Sequence, residues 1–105
     1  MWLRTPELDL TSFTKGATLR FQQFRAIEVG FDSGSIRILK AADDTELAVL
    51  EMTIDGTTTA WEQYSRNLPA EAFAEPIKIE FRLIADDVEE FAGWYLDDVE
   101  VIALP

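Results

Sequence analysis

The chain has no cysteine and no histidine. Without them there is no Ser-His-Asp or Cys-His nucleophile and no imidazole to move protons near neutral pH. An ordinary zinc site is excluded as well. Lack of cysteine rules out disulfide staples but leaves the compartment open, because exported domains can do without them. Basic residues are scarce, nine against twenty acidic ones, for a net charge of −11. A surface so negative repels phosphate backbones and anionic membrane surfaces, so nucleic acid is excluded as a partner. Long apolar runs are also missing. No stretch approaches the roughly 20 residues of a membrane-spanning helix, and Met1-Trp2-Leu3-Arg4-Thr5-Pro6 contains no apolar core of a signal peptide. The expectation is no membrane insertion.

What is present is the material of a folded β domain. Nearly half the residues, 48%, are apolar, including Trp2, Trp61, Trp94 and seven phenylalanines. At 105 residues the chain fits a single domain, residues 1–105. Short apolar runs are separated by Gly, Asp, Asn and Thr, the punctuation of strands and turns. Strands are expected at 8–10, 17–29, 35–41, Glu46–Ile54, 61–68, 77–83 and 94–103, with one helical turn within 69–74. The alternation Ile77-Lys78-Ile79-Glu80-Phe81-Arg82-Leu83 is strict. In the 17–29 run it slips at Gln22-Gln23, which predicts a bulge or a change of facing there. Seven or so short strands at regular spacing predict an all-β antiparallel two-sheet sandwich.

The last strand carries an anomaly. By parity Asp97 shares a face with Tyr95, Val99 and Val101, so an unbroken strand turns its carboxylate inward. An unpartnered inward carboxylate costs several kcal/mol in desolvation. Three kinds of partner are open: an arginine (Arg20, Arg25 or Arg82), backbone N–H groups of a turn, or a Ca²⁺ held by Asp97 together with Glu28, Asp32 or Glu90. The aromatics Trp61, Tyr64, Trp94 and Tyr95 form a second candidate set, either core or a surface on which a sugar ring stacks. The acidic pairs Asp43-Asp44, Asp86-Asp87 and Glu89-Glu90 are expected by chance among twenty acids, and a sandwich this small offers little cleft for a carboxylate dyad. No enzyme activity is expected.

Several segments resemble one family. Thr5-Pro6-Glu7-Leu8-Asp9-Leu10, Ala17-Thr18-Leu19-Arg20-Phe21, Glu28-Val29-Gly30-Phe31-Asp32-Ser33-Gly34 and the closing Gly93-Trp94-Tyr95-Leu96-Asp97-Asp98-Val99 are similar, in order, to motifs of bacterial MAM-like and cleaved-adhesin jelly-roll modules. That group includes the β-sandwich appended to immune-inhibitor-A-type secreted metallopeptidases. The resemblance implies a jelly roll, a non-catalytic accessory or adhesion role in a larger exported protein, extracellular or at the cell surface, and contact with a protein or glycan ligand. It also implies a structural Ca²⁺ near the final strand, with Glu28, Asp32, Asp97 and Asp98 as ligands; Glu90 stays a further candidate on the residue pattern alone. Two departures stand out. Lys40 to Leu47 lacks the glycines and tryptophan of the family hairpin, and the chain begins at an element that usually follows one or two strands. An open sheet edge is therefore expected, which would invite pairing into a homo-oligomer.

Overall fold

In the computed structural model, residues 2–27, 33–84 and 93–105 are described. The chain runs β1 (Trp2–Arg4), β2 (Ala17–Ile27), β3 (Ser33–Lys40), β4 (Glu46–Ile54), β5 (Gly56–Thr57), β6 (Glu62–Asn67), a 3₁₀ turn (Ala70–Phe73), β7 (Ile77–Ile84) and β8 (Gly93–Ala103). Every pairing is antiparallel. One sheet has the order β1-β7-β3-β4; in the other, β2 pairs with β8 along one edge and with β6 and then β5 along the other. The fold is the all-β antiparallel sandwich that the strand spacing predicts.

The core follows from alternation. β7 turns Ile77, Ile79, Phe81 and Leu83 inward, β3 contributes Ile36 and Ile38, β2 contributes Leu19 and Phe21, and β4 contributes Leu50 and Ile54. Each such side chain contributes roughly 1.5–3 kcal/mol on leaving water. Phe21 is the hub. It stacks on Tyr64 at a centroid distance of 4.6 Å and meets Phe81 edge-on at 5.4 Å and Trp94 at 6.5 Å. On the outer side of β7, Glu80 is fully buried because two arginines cover it. Arg4 Nε donates to its Oε2 and Arg82 Nε to its Oε1, each at 2.7 Å.

Three expectations change. The first strand lies at Trp2–Arg4, paired with Arg82 to Glu80, and Leu8 makes only an isolated bridge to Ile77. Pro6 has no N–H to give and interrupts the ladder between the two. The slip expected at Gln22-Gln23 is no bulge of β2: Ala17, Leu19, Phe21 and Gln23 all point inward without a break. Gln23 is buried because its amide is used, accepting from Trp94 Nε1 at 3.0 Å and donating to Glu62 Oε1 at 3.2 Å. A polar residue inside and an aromatic one, Phe24, outside make the pattern look slipped.

The third change concerns Asp97, which is exposed. The register between β2 and β8 shifts between Arg20 and Gln22: Arg20 faces Glu100 while Gln22 faces Asp97. Phe21 thus opposes two residues, Asp98 and Val99, and Asp98 takes a left-handed φ of 52°. This is a β-bulge with its first residue in the left-handed region. It reverses the facing of β8 halfway along, so Trp94 and Leu96 pack inward before it and Val101 after it. The carboxylate of Asp97 stays outside and accepts the Asp98 backbone N–H at 2.8 Å.

Candidate functional site on the outer face of the β8-β2-β6 sheet

The inward set of β2 dictates the outward one. With Leu19, Phe21 and Gln23 inside, Thr18, Arg20, Gln22 and Phe24 face out. The pairings with β6 and β8 then lay the outer face down in rows across three strands. Nearest the β5 end, Phe24 stands opposite Tyr95 and meets Trp61 at a centroid distance of 6.0 Å. The next row is Gln63, Gln22 and Asp97, with Gln22 Nε2 donating to Gln63 Oε1 at 3.4 Å. Below it come Ser65, Arg20 and Glu100, where Arg20 and Glu100 pair at 3.1 Å. Asn67, Thr18 and Ile102 complete the face, and Thr18 Oγ1 donates to Asn67 Oδ1 at 2.7 Å.

The aromatic row is the unusual part. Trp61 is 53% exposed and Tyr95 49%, on a sheet whose other outward positions are mostly polar. Leaving two large rings in water on either side of β2 forgoes burial that the core would have provided, and exposed apolar surface of this kind marks interaction sites. Trp61 also lines an open pocket of about 420 Å³ with Arg25, Thr57, Thr58, Thr59 and Glu62. Arg25 and Glu62 pair there at 3.3 Å. Thr58 holds the Arg25 backbone from both sides: its N–H donates to the Arg25 carbonyl and its Oγ1 accepts the Arg25 N–H, each at 3.0 Å.

The four candidate aromatics are therefore divided. Trp61 and Tyr95 share the outer face with Phe24, whose place beside the apparent slip at Gln22-Gln23 hides its outward facing from the sequence pattern. Tyr64 and Trp94 turn toward the core. Tyr64 stacks on Phe21, and its hydroxyl donates to Glu51 Oε1 at 3.1 Å. Loss of water around the phenol, and then the neighbouring Glu51 carboxylate, raise the Tyr64 pKa well above its ordinary value. Trp94 packs edge-on against Phe21 and Phe81 and is fixed by its hydrogen bond to Gln23.

For calcium, Asp97 and Asp98 are adjacent on the exposed bulge, and Glu28, Asp32 and Glu90 lie outside the described residues. Among the described residues no three carboxylates converge on one point. Two carboxylates offer at most four of the six to eight oxygens that Ca²⁺ takes, and one oxygen of Asp97 already accepts a backbone N–H. The arginines weighed as partners of Asp97 are engaged elsewhere: Arg20 with Glu100, Arg25 with Glu62 and Arg82 with Glu80.

No protein-family model matches this sequence, and no curated protein is similar enough to count as a relative. Among the described residues no helix is long and apolar enough to cross a membrane.

Proposed function

We propose that this domain is a non-catalytic accessory module of a larger exported protein, and that it binds a glycan on the outer face of the β8-β2-β6 sheet. The observation that carries the proposal is the row of Trp61, just before β6, Phe24 on β2 and Tyr95 on β8, with Trp61 and Tyr95 exposed, Phe24 half-buried between them, and the amides of Gln22 and Gln63 alongside. A pyranose ring has an apolar C–H face and a rim of hydroxyls. It needs an aromatic surface for the first and hydrogen-bonding side chains beside it for the second, and both stand here in adjacent rows. A non-catalytic role accords with a chain that offers no imidazole or thiol, and an exported setting accords with the family resemblance of the closing strand.

The test is binding to a glycan array and by calorimetry, with Trp61→Ala and Tyr95→Ala as variants. Both side chains are half exposed, so both variants should fold while losing the bound sugar. Silence across the array, or binding indifferent to both substitutions, would end the proposal.

A second reading concerns assembly. Among the described residues β8 pairs only with β2, leaving its other edge open. Nearby, Trp2, Leu3, Phe81, Leu83, Trp94 and Leu96 line an apolar hollow of about 300 Å³ between the two sheets. An open edge beside an apolar hollow favours association through strand addition. Light scattering over a concentration series checks it, and a strict monomer at high concentration removes it.

A further inference from the structure

We infer that the glycan is a single soluble chain of neutral sugars, not a crystalline polysaccharide surface and not an acidic glycan. The inference rests on the glycan-binding reading above and adds the class of ligand. Its first support is the relation of the rings. Trp61 and Phe24 meet with an interplanar angle of 61°. To lie on a flat crystalline face, neighbouring rings must be coplanar so that each meets the same plane. Rings inclined this steeply make a stepped surface that no flat face can touch at both places. An individual chain can meet both, because its successive units rotate about the glycosidic bonds.

Charge supplies the second support. The chain carries −11, and Asp97, Glu100 and Glu62 stand on or beside the candidate face. The two arginines of this region, Arg20 and Arg25, each already hold a carboxylate, Glu100 at 3.1 Å and Glu62 at 3.3 Å. A uronate or sulfate would therefore enter a negative field and would have to displace a carboxylate to reach either guanidinium.

Geometry places the chain. The aromatic row runs from Trp61, at the start of β6, over Phe24 of β2 to Tyr95 of β8, about 10 Å at the usual spacing between strands, and the amide row lies two residues along them, about 7 Å away. A short run of pyranoses lying across the strands covers the rings with its apolar faces and brings hydroxyls toward Gln63, Gln22 and Asp97. Equatorial hydroxyls, which project from the rim and leave both faces apolar, suit this best, so the neutral probes are xylohexaose and cellohexaose.

Calorimetry with these two oligosaccharides, pull-down on microcrystalline cellulose, and titration with oligogalacturonate and heparin distinguish the outcomes. The expected result is binding of a neutral hexasaccharide, weakened about tenfold or more by Trp61→Ala and several-fold by Gln22→Ala combined with Gln63→Ala. Tyr95→Ala, at an exposed position, provides a second check should the Trp61 variant fold poorly. Preference for the crystalline surface or for an acidic glycan would overturn the inference while leaving the glycan-binding reading intact. Failure of every glycan, neutral, acidic and insoluble alike, would overturn both.

Discussion

Gly34 in β3 and Trp94 in β8 touch across the two sheets so closely that a Cβ added to the glycine would sit 3.0 Å from both Cε3 and Cζ3 of the indole. The indole is pinned from its other side by the hydrogen bond from Nε1 to Gln23, so it cannot simply swing away. Gly34→Ala must therefore push the ring or the sheets. Overpacking of this kind costs about 1–3 kcal/mol. Urea denaturation should register the loss. A variant as stable as the parent would show that the indole can move freely. Trp94→Phe combined with Gly34→Ala should recover part of the loss, because the smaller ring leaves room for the methyl group.

Asp98 carries the bulge that sets the facing of β8. Its φ of 52° is a conformation that aspartate tolerates and β-branched residues resist. Asp98→Val should cost about 1–2 kcal/mol and Asp98→Gly close to nothing, the ordering expected of backbone strain. For a domain of this size about 1 kcal/mol corresponds to roughly 4–8 °C in melting temperature, so a thermal melt resolves the pair. Equal effects of the two substitutions would mean that the carboxylate itself, not the backbone, matters.

Tyr64 gives the domain a defined alkaline limit. Burial against Phe21, followed by the Glu51 carboxylate, raises its folded-state pKa far above the ordinary 10.0. The folded state therefore favours the neutral phenol. The resulting stability is complete below about pH 10 and is lost progressively as pH rises beyond that value, where the unfolded chain releases the proton first. Tyr64→Phe should remove this part of the alkaline decline, at the expense of the hydrogen bond to Glu51. Melting curves between neutral and strongly alkaline pH, parent against variant, check the slope. Parallel declines would rule the phenol out as its source.

The sequence alone determined the fold class. The strict alternation of Ile77 to Leu83 and the apolar runs punctuated by turn residues are local properties, and local properties suffice to say that strands form and stack face to face. Gly34 was legible only as a glycine. It stands just before the strand expected at 35–41, whereas it lies within β3 and its use is the close approach of an indole from the opposite sheet. Parity counting along β8 failed at a single residue: one left-handed aspartate reverses every side chain beyond it, so Asp97, assigned to the interior, lies in solvent. The candidate site was half visible. Trp61 and Tyr95 could be named from the sequence, but their separation from Tyr64 and Trp94, and the presence of Phe24 between them, could not. Those assignments depend on which residues β2 turns inward and on how β6 and β8 register against it. Such pairings join residues dozens of positions apart, and only the packed sheets fix them.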